Sequence, residues 1–218
     1  MQHKFEVDSI LLDFGTRRIL SDIYFKCETG QITGVLGRNG QGKTCLMNIV
    51  YGNLNPSSKS IRFDDISIFQ AFKRPDLLTY LPQFNFIPSS LTLNRIFSDF
   101  ELDYNDFENI FTEFVGKNNL QIKKLSGGQR RLIEVYVIIK SKSQFSMLDE
   151  PFSHISPIQI EKIVEILKVE KLKKGFLVTD HMYRYILDIS DNLYVLSNGK
   201  THLTKDIVDI ERLGYARV

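Results

Sequence analysis

The stretch that most constrains this chain is GRNGQGKT, Gly37 to Thr44. Before it comes QITGVLG, Gln31 to Gly37, which reads as a short, mostly apolar strand. After it, KTCLMNIVYG reads as a helix closing at Gly52. Glycines in that position let main-chain N–H groups turn inward around phosphate oxygens, and the helix N-terminus adds partial positive charge. Lys43 supplies a mobile point charge for the outer phosphates. The Thr44 hydroxyl can ligate Mg²⁺, an ion that keeps several waters and bridges phosphates.

Two other stretches raise chemical questions. FSMLDEPFSHISP, Phe145 to Pro157, is a buried-looking strand that ends abruptly in Asp149 and Glu150 before Pro151 breaks it. LSGGQRR, Leu125 to Arg131, lies about 80 residues after the glycine-rich loop. Ser-Gly-Gly before an apolar helix is a capped helix N-terminus, and a hydroxyl with two small residues there makes an anion site. Two phosphate sites are one too many for one nucleotide, unless each serves a different one.

The rest of the chain places these motifs. Phe5 to Phe14 and Ile19 to Cys27 read as strands, as do Ser60 to Phe63 and Leu77 to Leu81. From Phe84 to about Tyr136 helical patterns dominate, and six acids fall between Arg95 and Lys117 without one base, a solvated helical face. Strand–helix alternation then returns: strand 145–148, helix 157–173, strand 176–179, helix 182–189, strand 193–196. Alternation of this kind implies a largely parallel sheet covered on both faces, with 84–136 inserted as a helical block.

In sequence and order these motifs resemble those of the ATP-binding-cassette (ABC) ATPases. GRNGQGKT looks like the family's Walker A, LPQ (Leu81 to Gln83) like its Q-loop, and LSGGQ like its signature. FSMLDE looks like its Walker B with the catalytic glutamate, and TDH (Thr179 to His181) like its switch histidine. The resemblance covers nearly the whole chain. It implies a P-loop NTPase α/β core with a mostly parallel sheet, an N-terminal antiparallel β subdomain and an inserted α-helical subdomain, all one domain spanning 1–218. It also implies that two cassettes pair head to tail, each signature closing on the γ-phosphate held by the other's Walker A. The expected nucleotide-binding set is Phe14, Gly37, Arg38, Asn39, Gly40, Gln41, Gly42, Lys43 and Thr44, with Ser126, Gly127, Gly128 and Gln129 from the signature. Phe14, 23 residues before Gly37, stands where the family keeps an aromatic that stacks on adenine. Asp149 would hold Mg²⁺ through its water shell opposite Thr44, and Gln83 would reach the same ion. Glu150 would polarise the attacking water as a general base. His181 would contact the γ-phosphate, and Lys43 would assist at the same centre. Ser156 departs from the pattern, because the family usually places Asp there.

Composition narrows the partners. The chain has 218 residues, a net charge of +2, 43% hydrophobic and 25% charged residues, the profile of a globular domain with no global pull toward nucleic acid. Its two cysteines, Cys27 and Cys45, suit a reducing compartment. Neither a signal peptide nor a membrane helix is evident, so work at a membrane requires a partner. The apolar FNFIPSSLTL after Gln83 reads either as core of the helical subdomain or, as the resemblance to family transporters implies, as a groove for a short helix of an integral membrane subunit, with Phe84, Phe86, Ile87 and Leu91 contributing. The implied protein is an ATP- and Mg²⁺-dependent ATPase subunit that energises a membrane transporter. It would be cytoplasmic and peripheral on the inner face of the membrane, pair with a second, identical cassette and bind no nucleic acid. The wording of RRLIEVYVIIKS, DEPF and FLVTDHMYRYILDISDNLYVLSNGK is most similar to the ATPases of the lipopolysaccharide exporter and branched-chain amino-acid importer group. The chain stops soon after its last strands, so no regulatory tail is expected. The alternatives are a soluble cassette ATPase of an assembly process such as iron–sulfur cluster assembly, and a weakly hydrolysing nucleotide-binding regulator, which Ser156 suggests.

Overall fold

The computed structural model describes residues 2–204 and 207–215. Three short strands are buried at every residue: β4 (Ile32–Leu36), β8 (Phe145–Asp149) and β9 (Gly175–Thr179). Continuous burial is what a parallel sheet covered on both faces produces. They form a six-stranded sheet with β7 (Leu78–Leu81), β10 (Asn192–Ser197) and β11 (Lys200–Thr204), in the order β11-β10-β4-β9-β8-β7. Its pairs are parallel except β10 with β11. Registers such as Leu81 opposite Leu148 and Asp149 opposite Thr179 bring the strand exits together at one carboxyl edge. Gly37, Gln83, Glu150 and His181 therefore emerge side by side, where parallel α/β sheets bind ligands.

A second, five-stranded sheet is antiparallel. It contains β1 (Lys4–Phe14), β2 (Arg17–Leu20), β3 (Tyr24–Glu28), β5 (Ser58–Phe63) and β6 (Ile66–Ser67). Helix α1 (Lys43–Tyr51) shares one core with both sheets, through Leu46, Met47, Ile49 and Val50. Phe5 joins the layers, stacked on Phe63 at 5.2 Å and edge-on to Phe145 at 5.0 Å. The strand expected over Ile19 to Cys27 is in fact two. β1 is long enough to pair with β2 through Leu12 to Phe14 and with β3 through Lys4 to Asp8. Between them the Ser21 and Asp22 N–H groups donate to the Gly199 carbonyl, at 2.8 and 3.3 Å, and break the ladder. No glycine or proline marks that break in the sequence. The β6 and β11 strands and helix α7 (Ile207–Arg212) were not anticipated either.

Between Gln83 and β8 lie α2 (Leu93–Asp99), α3 (Tyr104–Ile110) and α4 (Gly127–Lys140). Phe97, Tyr104, Phe107, Phe111 and Phe114 gather around Tyr136 of α4, with Phe107 and Tyr136 ring centroids 4.9 Å apart. One expectation for the segment after Gln83 fails. Ile87 is only 4% exposed and belongs to the core, so it cannot line a surface groove. Phe86 and Leu91 are partly buried against that core, and Phe84 is 69% exposed. Helices α5 (Pro157–Glu170) and α6 (Tyr183–Ile189) complete the layer. Among the described residues no helix is long and apolar enough to cross a membrane.

Candidate functional site

The loop from Gly37 to Gly42 opens a cleft of about 520 Å³. Phe14, Asn39, Gly40, Gly42, Lys43, Thr44, Gln83 and Glu150 all line it. Gly42, at the N-cap of α1, has φ +98°, which favours glycine, and an added Cβ would press on Ile19 Cγ2 at 3.0 Å. The Lys43 ammonium is buried and donates to the Gly37 carbonyl at 2.6 Å and the Arg38 carbonyl at 3.4 Å. Burial lowers its pKa, opposed by the fields of Glu150, Asp149 and Asp180. Phe14 is 53% exposed at the rim, an open aromatic face. Arg38 and Gln41 turn away toward a small hollow with Val195 and Leu196, and Gln41 Oε1 accepts from the Asn198 N–H at 3.0 Å. Their side chains thus leave the cleft to their neighbours.

At the end of β8 the two acids separate. Asp149 is buried, and its Oδ1 accepts from Thr179 Oγ1 at 2.7 Å and Gln83 Nε2 at 3.4 Å. Its Oδ2 accepts from the Tyr80 hydroxyl at 3.3 Å. Glu150 faces the cleft with φ +50°, a conformation that costs a residue with a side chain on the order of 1–3 kcal/mol. Its N–H donates to the Thr179 carbonyl at 2.8 Å. At the neighbouring strand end Asp180 is buried and accepts from the Phe152 and Met182 N–H groups at 3.0 and 2.8 Å. Burial pushes its carboxyl pKa up against those donors. The His181 side chain is 54% exposed, its Nδ1 3.3 Å from Asp180 Oδ1. Among the described residues no three His, Cys, Asp or Glu side chains gather into a metal cage. Thr44 and Gln83 line the cleft and Asp149, which does not, is hydrogen-bonded to Gln83; these are oxygen-bearing side chains of the kind that could hold Mg²⁺, an ion that takes few protein ligands when phosphates and waters fill its octahedron.

The signature lies elsewhere. None of Ser126, Gly127, Gly128 and Gln129 lines the cleft. Ser126 caps α4: its Oγ accepts from the Gln129 N–H at 3.2 Å, and its own N–H donates to Gln129 Oε1 at 3.1 Å. A Cβ on Gly128 would stand 2.3 Å from the His154 carbonyl oxygen, so this glycine is fixed by main-chain approach to the 153–156 turn. Gly127 faces open space. Ser156 starts α5 and donates both its N–H and its hydroxyl to Gln159 Oε1, at 3.3 and 3.0 Å.

Sequence reasoning gave no role to Thr179 and Tyr80, which donate to Asp149, to Asp180 beside His181, or to Arg131. Thr179 and Asp180 could have been found from the register of β8 with β9. Arg131 could not. It is 4% exposed and donates to the carbonyls of Pro82, Asp149 and Glu150 at 2.6, 2.7 and 3.0 Å, in two distant segments.

Residues 20–153 match the family model described as ABC transporter. The lipopolysaccharide export system ATP-binding protein LptB of Haemophilus influenzae is 29% identical over 209 residues, covering 88% of this chain and 86% of that protein. LptB of Escherichia coli is 30% identical over 200 residues, covering 84% and 82%. A solved structure of an ATP-binding subunit of an ABC transporter superposes with a TM-score of 0.78 at 21% identity, over 95% of this chain and 92% of that one. That likeness shows the same fold, a P-loop NTPase core with the antiparallel sheet and helices described above. The chain belongs to the ABC transporter family, as an ATP-binding, ATP-hydrolysing subunit.

Proposed function

We propose that each chain binds MgATP in the Phe14–Thr44 cleft and that two copies close head to tail, Ser126 to Gln129 of one meeting the phosphates held by the other. The observation that carries this reading is the separation just described: Lys43 and Glu150 share a cleft that the signature does not reach. One chain then holds half of each of two sites. The Phe14 ring would stack on the base, and the loop from Gly37 to Gly42 with Lys43 would hold the phosphates. Thr44, Gln83 and Asp149 would hold Mg²⁺, which would neutralise phosphate charge. Glu150 would take a proton from the attacking water, and His181, oriented by Asp180, would hold that water against the γ-phosphate.

In this reading the chain works as one 1–218 domain, with residues 84–136 as its signature-bearing subdomain. It sits on the inner face of the membrane, docked to an integral transporter subunit by Phe84, with Phe86 and Leu91 at the edge. The relatives' names place them in lipopolysaccharide export and favour a transporter subunit over an assembly ATPase. Cargo selection lies with the membrane partner.

Steady-state ATPase measurement tests the assignment. The wild type turns over ATP with Mg²⁺, and Glu150→Gln lowers kcat by about 10²-fold or more while keeping ATP binding. Turnover of Glu150→Gln at the wild-type rate would remove Glu150 as the base. Lys43→Ala is expected to lose nucleotide affinity. Co-purification with an integral membrane protein, weakened by Phe84→Glu, tests the docking.

A further inference from the structure

The segment that carries Gln83 is held at both ends by the signature helix. At its start Arg131 Nη1 donates to the Pro82 carbonyl at 2.6 Å. At its end Glu134 Oε1 accepts from the Ile87 N–H at 3.3 Å, and Arg130 donates to the Ile87 carbonyl. Arg131 does more than clamp this segment. Its Nη2 also donates to the Asp149 carbonyl at 2.7 Å and the Glu150 carbonyl at 3.0 Å. All three bonds go to main-chain oxygens, the guanidinium is buried, and its Nε has no partner. A buried cation with a donor left over is a costly way to fill a core. Its position explains it, because the three carbonyls belong to the metal-side acid, to the base and to the residue before Gln83. Glu150 also holds a left-handed φ, which persists only where neighbours over-determine it.

We propose that Arg131 is a positioning residue for hydrolysis: one planar guanidinium fixes the main chain of Glu150 and of Pro82 together. It sets the Glu150 carboxylate toward the cleft and ties that carboxylate to the 83–87 segment, so a shift of that segment re-aims the base. The rigid fork of Arg spreads its donors over two nitrogens that reach carbonyls set apart, whereas Lys carries its three on one nitrogen. The inference rests on the reading of Glu150 as the base.

The test uses the full chain with Arg131→Lys and Arg131→Met, each alone and combined with Glu150→Gln. Misplacement of a catalytic group by about 1 Å costs on the order of 10²-fold, so kcat should fall about 10- to 100-fold. KM for ATP should stay within about twofold, and Met should be worse than Lys. In the Glu150→Gln background Arg131→Lys should cause a much smaller loss, because most of its effect runs through the missing carboxylate. Wild-type kcat in Arg131→Lys overturns the proposal. So does a matching rise in KM, or the same fold-loss repeated in the Gln background. If Arg131→Met does not fold, Arg131→Lys carries the comparison. Glu150→Gln alone reports on the base separately: near-normal turnover there removes the base, whatever Arg131 does.

Discussion

Ser156 stands where the family resemblance leads one to expect a carboxylate, and the structure gives it a local task. Its N–H and hydroxyl both donate to Gln159 Oε1, and Gln159 Nε2 donates onward to Glu113 Oε1 at 2.6 Å. The turn after Glu150 is thereby joined to the helical layer through one neutral amide. Asp is also a good N-cap, so Ser156→Asp should leave α5 folded. Its carboxylate cannot replace the hydroxyl's donation to Oε1, however, although the main-chain N–H still donates there, and it would compete with Glu113 for the Gln159 amide. ATP affinity should stay within about twofold while kcat or its cooperativity changes, since one of the turn's two bonds to Gln159 is lost and its amide is contested. If neither moves, the serine is equivalent to the acid. Residues whose chemistry is written in a motif, such as Lys43, Thr44 and Glu150, were legible from the sequence and share one cleft. Arg131 was illegible because its partners are carbonyls, which every residue has and no motif records.

Elements were legible where local chemistry agreed with packing. Strand β4, the glycine-rich loop and α1 follow from one stretch of sequence, whereas the break between β2 and β3 comes from a distant carbonyl at Gly199. At the opposite edge of the parallel sheet, Lys174 precedes β9 and is 3% exposed. Its ammonium donates to the Ser141 carbonyl at 2.7 Å and Ser146 Oγ at 2.9 Å, joining the end of α4 to β8. Burial lowers its pKa to about 7, opposed by Glu170 and reinforced by Lys140 and Lys173. The ordinary lysine value is 10.5, so between about 7 and 10.5 the unfolded chain binds more protons than the folded one. Stability therefore rises with pH through that window and is flat below it as far as this group is concerned, with a slope of about 1 kcal/mol per pH unit. Thermal unfolding of the wild type against Lys174→Met should show the difference between them changing from pH 7 to 9.5. Parallel curves would mean the ammonium stays charged in its oxygen cage.

At the scale of the whole molecule, the strand exits at the carboxyl edge of one sheet carry Gln83, Asp149, Glu150 and His181, and Ser126 to Gln129 do not line the cleft that Lys43, Gln83 and Glu150 share. The order of the motifs was legible in the sequence, and their pairing across two chains is what the family resemblance implies. The close approach of Gly128 to His154 was not legible, because it depends on how α4 packs on the turn before α5. Glu150→Gln with MgATP should run as a dimer by light scattering at micromolar protein, and Lys43→Ala should remain monomeric. Monomers in both would refute head-to-tail closure. In the proposed dimer the division of the site into halves would also make turnover a matter of encounter. For the free chain the rate per molecule should climb with protein concentration. Two seats on one membrane partner would convert that encounter into an intramolecular event at an effective concentration of about a millimolar. The partner would then govern the rate of ATP use simply by how near it keeps its two passengers.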